Sequence, residues 1–362
     1  MYIKNLKINN FRNISLIDSD FACGINIFCG RNGSGKTNLL EAIFVLCLGR
    51  SHRGTPELLL PQEGKDVYHI AGQIEKHSNV YEVTVAYKKG ERKKITIDKN
   101  TVKIVDLYQT HCIVAVGPED TQILSGPPLI RRSFLNLYLA QFSRNYLVWL
   151  SDYHRILAQK NACLKSDSDP SPFNDLLVPV GAEIMMARYA FIQKMHPAVS
   201  RYYADISDGG RFDMEYQPSV PLEGNSITKH EVEYSFRTAL EQNQHREQIV
   251  KTAIVGPHRD DIMFRIGGLP ARTHGSRGEW RTAAIALKLA VFHLLKAQCK
   301  TEPILLLDEV FTELDQQRTN GLIHALGDFG QLFLTTAVDP PDILKQDSCC
   351  YRIHNGAIQD IS

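Results

Sequence analysis

Long hydrophobic runs are missing from this 362-residue sequence: no stretch of about 18 uncharged apolar residues occurs, so no membrane span is expected. The opening Met1-Tyr2-Ile3-Lys4 leads into no signal-like apolar segment, and a cytoplasmic protein with no membrane partner is expected. Cysteine lacks pattern. The eight residues, at 23, 29, 47, 112, 163, 299, 349 and 350, show no Cys-x-x-Cys spacing and read as reduced core residues, with neither disulfides nor zinc. Charge of one sign is also lacking: 41 basic against 40 acidic residues leave a formal +1, so no global positive field steers the molecule toward nucleic acid. Internal repeats and low-complexity tracts are absent, which excludes solenoids and disordered tails.

What is present is a globular composition, with 43% apolar residues in a chain long enough for two or three domain-sized units. Strand-like alternation opens the chain at Ile3, Leu6 and Ile8, at Ile14, Leu16 and Ile17, and at Ile25-Asn26-Ile27-Phe28. Leu39, Leu40, Ile43 and Leu46 then recur at helical spacing, with Gly49 as the stop. Residues 67–74, 80–87 and 92–97 read as an antiparallel meander. Helical periodicity fills 129–165, 175–206 and 231–250, broken by a Ser/Asp/Pro-rich loop at 166–172. Strands at 262–266, 304–307 and 332–335 alternate with helices, which implies parallel pairing. The fold class is therefore α/β: a P-loop ATPase head with a β-rich N-terminal subdomain, formed from 1–125 and 251–362, and split by an inserted helical lobe at 126–250.

Gly30-Arg31-Asn32-Gly33-Ser34-Gly35-Lys36-Thr37 follows a strand and opens a helix, the context that the Gly-x4-Gly-Lys-Ser/Thr pattern requires. Its glycines let successive N–H groups face inward as an anion nest at a helix N-terminus. Lys36 would pair the β- and γ-phosphates of ATP, and Thr37 would ligate Mg2+. The apolar run Ile304-Leu305-Leu306-Leu307 ends in Asp308 and Glu309, the first suited to Mg2+ and the second to the attacking water. The catalytic set is thus Lys36, Asp308 and Glu309.

More than 250 residues separate the two halves of this site, an arrangement that resembles ABC and SMC-like ATPases rather than kinases or GTPases. Gly275-Ser276-Arg277-Gly278-Glu279 resembles the ABC signature, which keeps Ser276 and Gly278 ahead of a strong helical pattern. In that family the loop caps the γ-phosphate bound by the opposite subunit. Glu313-Leu314-Asp315 matches the D-loop, in which Asp315 communicates between paired sites. Ala337 stands where the switch histidine belongs, and Val116-Gly117-Pro118-Glu119-Asp120 where a glutamine loop belongs, so a slow, switch-like ATPase is expected.

Further elements resemble the RecF family over nearly the whole chain: Asn10-Phe11-Arg12-Asn13, Gly49-Arg50-Ser51-His52-Arg53, Pro118-Glu119-Asp120, Arg131-Arg132-Ser133-Phe134-Leu135 and Gly256-Pro257-His258-Arg259-Asp260-Asp261. Asn136 departs from the family's usual Asp, Glu309 from a second Asp, and Arg277 and Glu279 from a Gln pair. The resemblance implies that Arg12 reaches the nucleotide phosphates and that the head dimerises on ATP. It implies a weak, DNA-stimulated ATPase that clamps DNA at single-strand/double-strand boundaries, double-stranded and gapped alike, and assists RecA loading with RecR and RecO. It also places His258 to Asp261 near the nucleotide or dimer interface, an internal salt-bridge knot being the alternative.

Arg50, His52, Arg53, Lys88 and Lys89 are the expected DNA contacts, because backbone phosphates need Lys and Arg without a base-reading helix. Among rival readings, a transporter ATPase subunit calls for the missing glutamine and histidine. An SMC or Rad50-type head needs long heptad arms, for which the insert is too short. A DNA-independent ATP switch stays open.

Overall fold

The computed structural model describes residues 1–222, 228–299, 301–326, 329–338, 340–346 and 348–361. The opening alternation forms β1 (Tyr2–Phe11), β2 (Ile14–Asp20) and β3 (Ile25–Cys29). In β2, Ile14 and Ile17 take the buried positions and Leu16, expected beside them, points to solvent. Then come α1 (Lys36–Leu48), the meander β4 (Val67–Lys76), β5 (Asn79–Lys88) and β6 (Lys94–Ile97), the short β7 (Asn100–Thr101), α2 (Ile104–Thr110), β8 (Ile113–Val116) and α3 (Gln122–Ser125). The middle of the chain forms α4 (Pro128–Phe142), α5 (Arg144–Lys165), α6 (Ser171–Ser207), β9 (Phe212–Gln217) and α7 (Lys229–Val250). The last stretch forms β10 (Asp261–Ile266), β11 (Leu269–Pro270), α8 (Ala271–His274), α9 (Arg277–Cys299), β12 (Ile304–Asp308), α10 (Gln316–Leu326), β13 (Leu332–Thr336), α11 (Asp342–Lys345), β14 (Ser348–His354) and β15 (Ala357–Ile361).

The chain divides into two compact units: Met1–Thr121, Tyr202–Gly209 and Arg277–Ser362 form the first, Gln122–Arg201 and Gly210–Ser276 the second. The expected division fell at 125 and 251. The shift of the later boundary to 276 has a plain cause: β9, a strand not read in the sequence, pairs antiparallel with β10, with Tyr216 opposite Ile262. That pairing holds residues 261–266 in the helical unit. The end of α6 is grouped with the first unit, where the backbone at Asp205 and Ile206 packs against Gly321 so closely that an added Cβ would meet it at 2.7 Å.

In the first unit one antiparallel sheet has the order β2-β1-β4-β5-β6-β7, and a second, mixed sheet has the order β15-β14-β3-β13-β12-β8. Within the second, β14, β3, β13, β12 and β8 run parallel. Helix α1 packs on strands of both sheets and is buried from Leu39 to Leu48, as a helix apolar on all sides must be. Gly72 in β4 makes this approach possible, since a Cβ there would sit 2.6 Å from Leu46 Cδ2. Gly49 closes α1 in the left-handed region (φ 66°) and donates to Val45 O. Helix α9 is apolar enough by composition alone to cross a membrane, but Arg281 to Phe292 are buried inside this unit.

Cysteine pairing departs from the sequence expectation: Cys112, just before β8, and Cys299, at the end of α9, form a disulfide with Cα atoms 7.2 Å apart. The two are 187 residues apart, so no spacing could announce the pair. The other six cysteines form no disulfide among the described residues.

Candidate nucleotide site

Parallel register brings the two distant motifs together. β13 lies between β3 and β12, with Thr335 opposite both Phe28 and Asp308, so the P-loop and the acidic pair leave the same edge of one sheet. Thr37 Oγ1 then donates to the Asp308 carboxylate, 2.9 Å from both oxygens, across 271 residues of sequence. Thr335 Oγ1 donates to Asp308 Oδ1 at 2.6 Å.

The P-loop has the form its glycines permit. Gly33 (φ 78°) and Gly35 (φ 111°) occupy conformations that side chains rarely adopt. The neighbouring Asn-Phe-Arg-Asn element braces the loop through Asn13, whose Nδ2 donates to Gly33 O at 3.3 Å and whose Oδ1 accepts from Asn38 Nδ2 at 2.8 Å. Gly356 N donates to Ser34 O at 2.7 Å. Asn13 was visible in the sequence only as part of that element, and Gly356 carried no signal. Ser34 Oγ is buried without a hydrogen-bond partner among the described residues. A phosphate oxygen would supply that partner, so Gly30, Arg31, Asn32, Gly33, Ser34 and Gly35 fit a nucleotide phosphate.

Lys36 Nζ, almost fully buried, bonds Gly30 O at 2.7 Å and Arg31 O at 3.2 Å and pairs with Glu309 Oε1 at 3.0 Å. Glu309 is held from every side. Its backbone is left-handed (φ 50°), a costly conformation for a residue with a Cβ, and its N–H donates to Thr335 O at 3.2 Å and Thr335 Oγ1 at 3.1 Å. Its Oε2 accepts from Thr312 Oγ1 at 2.8 Å and from Ala337 N at 3.0 Å. Arg281, one turn beyond Gly278 on α9, donates to Glu309 O at 2.6 Å. Where a switch histidine would stand, a backbone amide therefore contacts the carboxylate.

Opposing environments separate the two neighbouring carboxyls. Burial pushes Asp308 above the usual carboxylate range, against the bonds from Thr335 and Thr37, and the charge of Glu309 adds to the rise. Burial would raise Glu309 as well, but the bonds from Lys36 and Thr312 outweigh it and hold Glu309 below that range. Thr37 and Asp308 are a donor set suited to Mg2+, which takes one or two carboxylates and keeps the rest of its shell for phosphate and water. No cluster of three or more His, Cys, Asp or Glu side chains suited to a metal occurs among the described residues.

A cavity of about 200 Å3 lies beside Asp308, lined by Thr37, His52, Arg53, Gly117, Pro118, Glu119, Asp120 and Asp308. The turn standing in place of a glutamine loop is thus against the acidic strand end. Asp120 pairs with Lys288 of α9 at 2.7 Å, and Lys288 also donates to Ala115 O at 2.8 Å. Lys288 was not singled out in the sequence, because a lysine inside an apolar helix reads as a solvated position.

Ser276 is exposed directly ahead of the 23-residue α9, and Gly278 lies in its first turn. The guanidinium of Arg318 packs on Gly278, where a Cβ would meet Nη1 at 2.6 Å. Asp315 caps α10, accepting from Arg318 N at 2.8 Å. Arg318, which no motif marked, therefore joins the signature-like turn to the D-loop-like turn.

Other assignments change. Arg12 turns its guanidinium to the buried Glu41, with bonds of 2.8 and 2.9 Å, and to Thr55 at 2.7 Å, instead of toward the phosphate loop. His52 is no exposed DNA contact: its ring packs on Phe44 (centroids 5.2 Å), and burial lowers its pKa to about 4, so it carries no charge near neutrality. Arg53 is paired with Glu119 at 2.9 Å and Lys88 with Glu91 at 2.6 Å, whereas Arg50 and Lys89 are exposed with no ion pair among the described residues. Asp260 and Asp261 form a salt-bridge knot within the second unit, with Arg188 and Arg131 respectively.

The geometry agrees with the comparisons. A family model described as the RecF/RecN/SMC N terminal domain matches residues 2–355. The DNA replication and repair protein RecF of Halalkalibacterium halodurans is 34% identical over 370 residues, covering 99% of each chain. That of Latilactobacillus sakei is 35% identical over 346 residues, covering 93% of this chain and 92% of its own. A solved structure of the recombination mediator protein RecF with ATP, in the RecFOR pathway, superposes with a TM-score of 0.91 at 27% identity, covering 100% of this chain and 97% of that one. An Smc head bound to the C-terminal winged helix domain of ScpA shares the fold alone, with a TM-score of 0.56 at 14% identity. Full-length identity above 30% and a family match from end to end, joined to a P-loop closed by a distant acidic strand, establish that this chain belongs to the RecF family of DNA replication and repair proteins.

Proposed function

We propose that this protein is an ATP-driven DNA clamp of recombinational repair: two copies pair when ATP binds, hold DNA at single-strand/double-strand gap junctions, and part after slow hydrolysis. The observation that carries this reading is the junction of Thr37 with Asp308 and of Lys36 with Glu309, which makes one composite site from the two ends of the chain. Lys36, Ser34 and the amides of the P-loop bind the phosphates, and Thr37 and Asp308 hold Mg2+. Held there by Thr37 and Asp308, Mg2+ would supply positive charge against the phosphates during transfer. Glu309 orients the attacking water and accepts its proton, a role for which its fixed carboxylate is suited.

Ser276 and Gly278, at the exposed start of α9, would complete the site bound by the partner copy, since a helix N-terminus favours a γ-phosphate. Asp315, capping α10 beside Arg318, would sense that pairing. The names of the relatives support DNA as the partner, and by family likeness RecR and RecO as co-workers in assisting RecA loading. Hydrolysis would be weak, because Ala337 offers an amide where a switch histidine would stand, and its stimulation by DNA rests on the family likeness alone.

Band shifts with gapped, duplex and single-stranded DNA, with and without ATP and Mg2+, test the reading alongside sedimentation. ATP-dependent pairing and preferential retention of gapped DNA are expected. Pairing on ATP without any DNA retention would favour a DNA-independent switch, and an unchanged oligomeric state would remove the ATP-driven clamp.

A further inference from the structure

In the second unit, four arginines meet two carboxylates. Arg131 is bound by Asp261, at 2.5 Å from Nε and 2.9 Å from Nη2. Arg188, only 2% exposed, pairs with the fully buried Asp260 at 2.9 Å and also bonds Tyr146, Pro257 O and Asn136. Asp260 is occupied further by the Tyr216 hydroxyl and by Ser219 N. Both carboxylates are thereby committed to Arg131 and Arg188.

Arg132 and Arg259 find only backbone carbonyls. Arg132 Nη1 donates to Asp260 O at 2.8 Å, at the residue next to Arg259. Arg259 Nε and Nη2 both donate to Ala253 O, at 3.2 and 2.8 Å. Among the described residues, neither has a carboxylate within ion-pair distance. His258 adds no compensating or extra charge. It is fixed between Tyr153 (2.7 Å) and Ala253 O (3.1 Å), and burial lowers its pKa to about 4. The group therefore carries a net charge of about two positive units near neutrality, as four guanidinium and two carboxylate charges require.

The placement is costly. Arg132 is partly buried, and its pKa is lowered first by that burial and next by Arg188; Asp261 and Asp260 oppose the fall, and Arg259 adds to it. A half-buried guanidinium without a counter-ion, beside a second one, is an arrangement proteins keep where an anion arrives. The carbonyl anchors also preorganise both forks. Each guanidinium offers five donors, of which Arg132 spends one and Arg259 two, so donors remain for a bidentate phosphate contact.

We propose that Arg132 and Arg259 form a backbone-phosphate site for DNA on the helical unit. The proposal rests on the DNA-binding reading above and joins Arg132, a basic residue of the Arg131-Arg132 pair in the sequence, to Arg259 in one site. Arginine forks on a carbonyl scaffold suit a tetrahedral phosphodiester, and no base-reading helix is needed. The surface differs from Arg53 and Lys88, whose charges are already met by Glu119 and Glu91.

The test is the affinity of full-length wild type, Arg132→Ala/Arg259→Ala and Arg132→Lys/Arg259→Lys for gapped DNA with ATP, measured from low to high salt on two unrelated sequences. The alanine pair is expected to reduce the slope of log affinity against log salt by about two, equally on both sequences. The lysine pair, which keeps the charge, is expected to retain most of the slope. DNA-free ATP hydrolysis should match wild type in both, which confirms folded nucleotide sites. An unchanged slope in the alanine pair overturns the proposal while leaving DNA binding intact. Equal loss in the lysine and alanine pairs overturns it too, in favour of a packing role. Wild type that retains no DNA at any salt overturns both this site and the clamp. Unaltered DNA binding with lost binding of a polyglutamate probe would make the surface a protein-docking site instead.

Discussion

Glu309 Oε1 lies 3.0 Å from Lys36 Nζ, so the carboxylate placed to activate water is the same one that neutralises the P-loop lysine. A γ-phosphate reaching Lys36 has to compete with that carboxylate. Replacing Glu309 by Gln removes the competitor and the base together. Hydrolysis should fall by about two to four orders of magnitude, while ATP affinity rises several-fold. Single-turnover hydrolysis and titration with a fluorescent ATP analogue read the two effects separately. Wild-type turnover in the variant would remove Glu309 from the chemistry, and weakened ATP binding would mean that its bond to Lys36 supports the loop rather than competing for it.

Asp308 has a different neighbourhood and a different prediction. It accepts from Thr37 and Thr335 and has no cation as its direct partner among the described residues, and burial drives its pKa up. Asp308→Asn should therefore leave Mg2+-free ATP binding nearly unchanged and abolish the gain that Mg2+ brings. Calorimetric titrations with Mg2+ and with EDTA distinguish the two. Equal losses in both would point to a collapsed strand end, not to a metal role.

Much of this site was legible because its chemistry is local. The P-loop needs its glycines and Lys-Thr in one turn, and Asp308 and Glu309 end an apolar strand, so each half could be read alone. Their union depended on the parallel strand order, which alternation of strands and helices implied. The braces were not legible. Asn13, Arg318 and Lys288 act through contacts 20 or more residues away in sequence, and no periodicity marks such partners. β9 escaped because Phe212, Met214 and Tyr216 alternate over only six residues between two long helices. The contacts of His52 with Phe44 and of Arg12 with Glu41 are tertiary as well, so neither the basic turn nor the family resemblance announced them.

The second unit offers a stability prediction. Lys160 and Glu247 are buried, 0% and 2% exposed, and paired at 2.6 Å. Breaking such a pair leaves one uncompensated charge, so Lys160→Met should cost about 3–5 kcal/mol. Lys160→Met/Glu247→Gln should recover more than half of that loss, because Gln still accepts from Ile254 N, which now bonds Glu247 Oε1 at 2.9 Å. Urea unfolding of the wild type and both variants measures this. A double variant as unstable as the single one would show that packing around the Lys160 stem, rather than the charge, sets the cost.

Acid should weaken the first unit through His111. The residue is 2% exposed, and burial, followed by the nearby charge of Lys76, lowers its pKa to about 4, whereas in an unfolded chain it titrates near its ordinary value of about 6.5. The fold thus favours neutral imidazole. Between those two values the unfolded chain binds the extra proton, so the contribution is complete above about pH 6.5 and shrinks as pH falls toward 4. A shift of that size corresponds to about 3 kcal/mol across the whole window, and to about 2 kcal/mol between neutrality and pH 5. Carboxylates titrate over the same range, so wild type alone cannot isolate the effect. His111→Asn has no proton to gain, and the stability difference between it and wild type, from urea unfolding at pH 7.5 and pH 5, removes the shared background. Wild type should lose its advantage, or fall further behind, by about 2 kcal/mol on going to pH 5. A difference that stays constant with pH would mean that His111 accepts its proton inside the fold as easily as outside it, and that the enclosure around β8 opens to water.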